Sequence, residues 1–128
     1  MWKWLATRSK PRASTRGQSA EQQALEFLQA QGLKLIARNF RARGGELDLV
    51  MDHAGTLAVV EVRARGRSRH GHAAETVDAR KQRRIVLATQ VFLAAHPGHA
   101  QSPLRFDIVA LDADTPLQWL RGAFDASE

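Results

Sequence analysis

Two stretches decide how this chain folds: Gly45-Glu46-Leu47-Asp48-Leu49-Val50 and, a few residues later, Ala58-Val59-Val60-Glu61-Val62-Arg63-Ala64-Arg65. Both are apolar runs of strand length with acidic residues set into them, and a charge inside a segment that otherwise favours burial has to be neutralised by something. Asp52-His53-Ala54-Gly55 between them has turn composition, which predicts an antiparallel hairpin. Two registers suit it: Met51 opposite Thr56, or a tight turn at Ala54-Gly55 with Asp48 opposite Glu61. Because side chains alternate with period two, either register predicts Glu46, Asp48, Glu61 and Arg63 on one face. Three carboxylates gathered there repel one another unless a cation lies between them, and an oxygen-only cluster suits Mg²⁺ or Mn²⁺ better than zinc. The same spacing also fits the solvent side of a half-exposed hairpin, and spacing alone leaves both readings open.

The remaining elements follow from periodicity. Ser19-Ala20-Glu21-Gln22 resembles a capping box, with Ala20, Ala24, Phe27 and Leu28 as an apolar helical stripe and Gly32 as the stop. Glu21 would then lie in a first helical turn, where an acid offsets the macrodipole without any further role. Leu33 to Asn39 reads as the first strand, and Phe40 to Gly44 as a basic connection. A second helix is expected from about Val77 to His96, burying Val77, Ile85, Ala88, Val91, Phe92 and Ala95 and ending at Pro97-Gly98. Leu104 to Leu111 and Leu117 to Phe124 read as two further strands. The order is helix, three strands, helix, two strands: an α/β chain with a mixed sheet flanked by helices.

Charge is unevenly spread. The net charge is +6, yet Lys3, Arg8, Lys10, Arg12 and Arg16 fall in residues 1–18 without an acid, so residues 19–128 carry only +1. Residues 1–18 read as a basic, disordered arm and residues 19–128 as a single domain. The arm suits phosphates, with Trp2 and Trp4 available for stacking on unpaired bases, though an extension whose charge only aids solubility has the same composition. A second basic run, Arg63, Arg65, Arg67, Arg69, His70 and His72, leaves the third strand beside the acids, and a purely electrostatic binder has no reason to place carboxylates there. His70 and His72 read as part of a solvated loop rather than as metal ligands. Arg80, Lys81, Arg83 and Arg84 open the second helix as a phosphate-contacting or simply solvated face. The 128 residues contain no cysteine, which excludes disulfides, thiol catalysis and cysteine-type zinc sites. The sequence has neither an apolar run of membrane-span length nor the apolar core of a secretory signal, so a cytoplasmic protein with no membrane partner is expected.

The residues also carry a resemblance. Asp48, then twelve residues, then Glu61-Val62-Arg63 is similar to the Asp…Glu-x-Lys core of the PD-(D/E)XK nucleases. The wider series resembles the YraN-like family of small bacterial proteins, itself similar to the Holliday-junction resolvases: Gly17, Glu21, Ala24, Gly32, Arg38-Asn39, Gly45-Glu46-x-Asp48, Glu61-Val62-Arg63-x-Arg65, Gly71, Lys81 and Arg105-Phe106-Asp107. It spans residues 17 to 125. The resemblance implies a restriction-endonuclease-like fold and Asp48 and Glu61 as ligands of the Mg²⁺ or Mn²⁺ that the strand face suggests, where the hairpin geometry adds Glu46 as a further metal ligand. It further implies Glu21 as a third acid and Lys81 and Arg63 as catalytic cations; the basic loop and helix face add Arg65, Arg67, Arg69, Arg80 and Arg84 as expected contacts to nucleic acid, DNA above RNA. Resolvase relatives act as symmetric dimers, so a homodimer belongs to the same expectation. Arg63 departs from the usual lysine: a guanidinium clamps phosphate but stays protonated and cannot serve as a base. Two functions follow, a metal-dependent endonuclease acting on branched or single-stranded DNA, or a non-catalytic nucleic-acid binder on a degenerate nuclease scaffold.

Overall fold

The computed structural model describes residues 16–65 and 77–126. Helix α1 (Arg16–Ala30) is followed by β1 (Lys34–Ala42), β2 (Gly45–His53) and β3 (Thr56–Arg65), then by α2 (Ala79–Ala95), a short 3-10 turn, β4 (Leu104–Asp112) and β5 (Gln118–Phe124). The five strands form one mixed sheet in sequential order. Among the described strands only the β3–β4 pair is parallel, and α2 lies within the crossover that a parallel connection demands. The architecture is the expected α/β one, consistent with a restriction-endonuclease-like fold.

The β2–β3 hairpin adopts the tighter of the two expected registers. His53 pairs with Thr56 and Leu49 with Val60, across a two-residue turn in which Ala54 and Gly55 have φ of 52° and 95°. Positive φ at both central positions matches the right-handed twist of the flanking strands. Asp52 Oδ1 accepts a hydrogen bond from the Gly55 N–H at 3.0 Å and closes the turn.

The sheet is covered on both faces. On one side α1 packs Ala24, Leu25 and Leu28 against Leu49, Met51, Ala58, Val60 and Val109. On the other, α2 packs Ile85, Ala88 and Phe92 against Leu47, Val50, Leu57, Val59, Phe106 and Ile108. Central strands buried on both faces are the reason the two quoted stretches are so apolar.

Several expectations change. Helix α1 begins at Arg16 rather than Ser19, so Ser19 is interior and no acid stands in the first turn. The last three residues assigned to the arm are thus helical, and Glu21 is too far along α1 for the macrodipole role. Residues 1–15, with Trp2 and Trp4, lie outside the described residues. Strand β1 runs on to Ala42 because Phe40, Arg41 and Ala42 pair with Leu47, Glu46 and Gly45, leaving a turn in place of the expected connection. Asp78 caps α2, accepting from the Lys81 N–H at 2.9 Å. Val91 and Ala95 are exposed, and Thr89 takes a buried position instead, bonding its hydroxyl to the Ile85 carbonyl.

Candidate functional site

The β2–β3 ladder stops at Leu49–Val60. The next step would set Asp48 opposite Glu61, but there the Val62 N–H donates to Asp48 Oδ2 at 2.9 Å instead. A side-chain acceptor has replaced the partner strand, so the acids occupy a fork between β2 and β3. Strand β3 stays in register with β4 as far as Arg65–Asp112, so the departure belongs to β2. Its alternation changes at the same place: Leu49 and Met51 pack toward α1, whereas Leu47 packs toward α2 together with Val50.

Strand β1 is distorted opposite the fork. Between the pairs Arg38–Leu49 and Phe40–Leu47 stands Asn39, with φ of 55°, a left-handed conformation that asparagine tolerates better than most residues. Arg38 Nη2 at 3.3 Å and Asn39 Nδ2 at 3.1 Å both donate to Glu21 Oε1. The β1 distortion thereby ties Glu21 of α1 to the strand beside Asp48.

The electrostatics identify what is unusual here. Glu61 is 3% exposed. Burial, reinforced by the charge of Asp48, pushes its carboxyl up to about 8, against the pull of Lys81 and Arg63. Burial also raises Asp48, opposed by the Val62 N–H, Lys81 and a hydrogen bond with Glu61. With Glu61 pushed up to about 8 beside Asp48, the pair resists carrying two negative charges at neutral pH. Burial, followed by the charge of Asp48, raises Glu21 too. Lys81 Nζ lies 3.3 Å from Glu61 Oε2 and Arg63 Nη1 lies 3.8 Å from the same oxygen. The pair therefore has cations on one side and a third acid within electrostatic reach.

The structure thus brings together Asp48, Glu61, Lys81 and Arg63, with Glu21 close enough to act through its charge. Glu46 stands apart from the predicted three-carboxylate face: it is exposed and lies 3.8 Å from Arg41, although its charge reaches Asp48. The change in alternation at Asp48 explains this, because period-two reasoning assumes an unbroken strand. Among the described residues no three Asp, Glu, His or Cys side chains converge closely enough to hold a metal ion as they stand. Arg80 and Arg84 are exposed on α2, and Arg84 Nε donates to the Gly44 carbonyl at 3.2 Å. Arg65 ends β3, while Arg67, Arg69, His70 and His72 lie outside the described residues. Sequence reasoning gave no role to Arg41, which the longer β1 carries to the site's edge, or to the backbone of Asn39. The polar-apolar alternation through Asn39-Phe40-Arg41-Ala42 was the available signal for the longer strand. Among the described residues, no helix is long and apolar enough to cross a membrane.

Comparison with known proteins agrees with this reading at the level of family. Residues 20–111 match the model of the uncharacterised protein family UPF0102. A UPF0102 protein of Pseudomonas putida strain GB-1 is 54% identical over 113 residues, covering 85% of this chain and 92% of that protein. Another, from Ralstonia nicotianae, is 51% identical over 120 residues with 91% of each chain covered, and one from Herminiimonas arsenicoxydans is 46% identical with 86% of each covered. The matched span contains α1 from Ala20, both hairpins, the acid fork, α2 and most of β4, and on this evidence the chain belongs to the YraN-like family UPF0102.

Proposed function

We propose that the protein binds nucleic acid and hydrolyses phosphodiesters of branched or single-stranded DNA, using Mg²⁺ or Mn²⁺ held by Asp48 and Glu61. The observation that carries this reading is the fork itself: a buried Glu61 beside a half-buried Asp48, both carboxyls raised chiefly by burial and Glu61 further by the charge of Asp48, with Lys81 3.3 Å from Glu61. Burying two acids together is unfavourable, and a site shaped to receive a divalent cation is a physical reason for doing so. Two carboxylates suit Mg²⁺, which takes one or two protein acids and completes its shell with water and substrate phosphate. When bound there, such an ion acts as a Lewis acid toward the phosphate and supplies an activated water.

The chain's own residues have definable tasks. Asp48 Oδ2 accepts from the Val62 N–H, which fixes the carboxylate beside Glu61 where the two acids would hold the cation. Lys81 supplies the ammonium that the strand position occupied by Arg63 does not, since it can lie against a phosphate oxygen while stabilising ionised Glu61. Arg63 contributes a permanent positive charge for the phosphorane. Glu21, held by Arg38 and Asn39, is a third acid within electrostatic reach of Asp48.

The test is cleavage of branched and single-stranded DNA in Mg²⁺ or Mn²⁺ by wild type, Asp48→Asn and Glu61→Gln. Loss of at least about 100-fold in both variants is expected, with DNA affinity in chelator within threefold of wild type. Cleavage at the wild-type rate in both variants would sink the proposal. A wild type that binds DNA with steep salt dependence yet cuts nothing would favour the non-catalytic binder, the reading that Arg63 in the lysine position supports.

A further inference from the structure

Beside the acid fork lies a second feature that the chemistry above leaves unused. The end of the β1–β2 hairpin and the early turns of α2 enclose a cavity of about 370 Å³, whose lining includes Arg41, Gly44, Gly45, Glu46, Lys81 and Arg84. Three cations and one carboxylate give this lining a net charge of +2. The wall is built by close backbone approach. A Cβ at Gly45 would run into the Arg84 carbonyl, so only glycine lets the hairpin lie against α2 here. Arg84 Nε donates to the Gly44 carbonyl at 3.2 Å, which fixes the guanidinium at the cavity edge. Among the described residues no partner takes its terminal amino groups. Arg41 lies 3.8 Å from Glu46 with both side chains exposed, a pairing that an incoming anion can displace at little cost.

We infer that this cavity is a phosphate subsite, which takes the backbone phosphodiester next to the one lying at Asp48 and Glu61. The inference rests on the proposed function for the neighbouring site and adds to it the place and partner of a second phosphate. Lys81 makes the connection: it lines the cavity while its Nζ stands 3.3 Å from Glu61 Oε2, so one ammonium borders both compartments. A strand with one phosphate at the acids therefore carries its next phosphate toward Arg84 and Arg41. Guanidinium groups suit that task because their forked donors match phosphate oxygens in pairs. Electrostatically the arrangement separates two jobs, since the fork repels an anion until a cation arrives whereas the cavity attracts one at all times.

The experiment uses the full chain in chelator, so cleavage plays no part in it. Backbone amide resonances of Gly44 and Gly45 in ¹⁵N-labelled protein are followed during titration with a single-stranded oligodeoxynucleotide bearing a 5′-hydroxyl, and then with its 5′-phosphorylated counterpart. Affinity is measured in parallel by fluorescence anisotropy over a range of salt. The expected result is a shift of both glycine amides with either oligonucleotide. In an Arg41→Gln/Arg84→Gln double variant that shift is lost, affinity falls about tenfold, and the log–log salt slope drops by roughly 0.7, the value for one lost phosphate contact on a single strand. An Arg41→Lys/Arg84→Lys variant keeps most of the slope, which separates loss of charge from loss of the Arg84–Gly44 bond. Unchanged affinity and slope in the glutamine variant overturn the inference, and a shift seen only with the 5′-phosphate overturns it in favour of a terminal monoester. Asp48→Asn leaves the glycine shifts in place, so failure of the cavity and failure of the metal-dependent chemistry are read independently.

Discussion

Asp107 on β4 and Glu61 on β3 lie one step apart on adjacent strands, since Asp107 is in register with Val60, and they are buried on opposite faces of the sheet. Asp107 is saturated with donors. Arg105 reaches it through Nε at 2.8 Å and Nη2 at 3.0 Å, Trp119 Nε1 at 3.0 Å and the Gly122 N–H at 3.0 Å. Arg105 is itself backed by His53 Nδ1 at 2.9 Å. Glu61 has a lysine at 3.3 Å, an arginine at 3.8 Å and another acid beside it. Nearly equal burial thus yields one carboxylate that ties β4 to β5 and one whose ionisation is opposed. A buried acid with every lone pair taken is a structural device, whereas a buried acid left facing a second acid marks a place for something else.

The sharpest way to break this comparison is to remove each acid's charge and measure stability. Asp107→Asn should destabilise the fold by roughly 3 kcal/mol, lowering Tm by about 10 °C, because Arg105 loses its bidentate partner and an amide presents donors to donors. Glu61→Gln should act with the opposite sign. The folded pKa of Glu61 lies near 8, above the ordinary 4.5, so between these values the folded state binds more protons than the unfolded chain. Stability from this group is therefore complete below about pH 4.5 and is lost as pH rises through 8. Denaturant titrations should find Glu61→Gln more stable than wild type by on the order of 2 kcal/mol at pH 9 and nearly equal to it at pH 5. A variant less stable than wild type at pH 9 would mean that Glu61 is a structural acid like Asp107.

A divalent cation sharpens the contrast further. If the fork receives Mn²⁺, the ion should stabilise wild type by about 1.4 kcal/mol at ten times its Kd, seen as a rise in Tm that grows with pH as Glu61 gives up its proton. Glu61→Gln should lose this response. A conservative variant near the other acid, Trp119→Phe, should keep it. An equal rise in all three proteins would show binding elsewhere.

The two acids also differ in how well sequence announces them. Element order and helix count were legible, and the hairpin register was narrowed to two, because they depend on apolar runs, a short turn and a proline stop, all local in sequence. The pairing of Asp48 with Glu61 was legible for the same reason, through period two across one hairpin. Glu46 was misplaced because the rule assumes a regular ladder, and the rule stops applying where Asp48 bonds the Val62 N–H. Arg105-Phe106-Asp107 entered the resemblance without a role, since two of the four hydrogen bonds to Asp107 come from Trp119 and Gly122 on another strand. The cavity at Gly45 was beyond reach altogether, because a contact between a hairpin and the backbone of Arg84 leaves no periodic trace.

The smallest expected effect concerns Asn39, where strain and hydrogen bonding can be separated. Its φ of 55° is unfavourable for any residue with a Cβ, and its side chain holds Glu21 at 3.1 Å. Asn39→Gly removes both the backbone strain and the side-chain bond. Asn39→Ala removes the bond and keeps the strain. The glycine variant should stay within about 0.5 kcal/mol of wild type, with the alanine variant lower by roughly another 1 kcal/mol. Both should weaken Mn²⁺ binding equally if Glu21 acts on the fork through its position, since both remove one of that carboxylate's two anchors and leave Arg38 as the other. If the alanine variant alone weakened it, the backbone path of β1, rather than the anchoring of Glu21, would be what β1 contributes to the site.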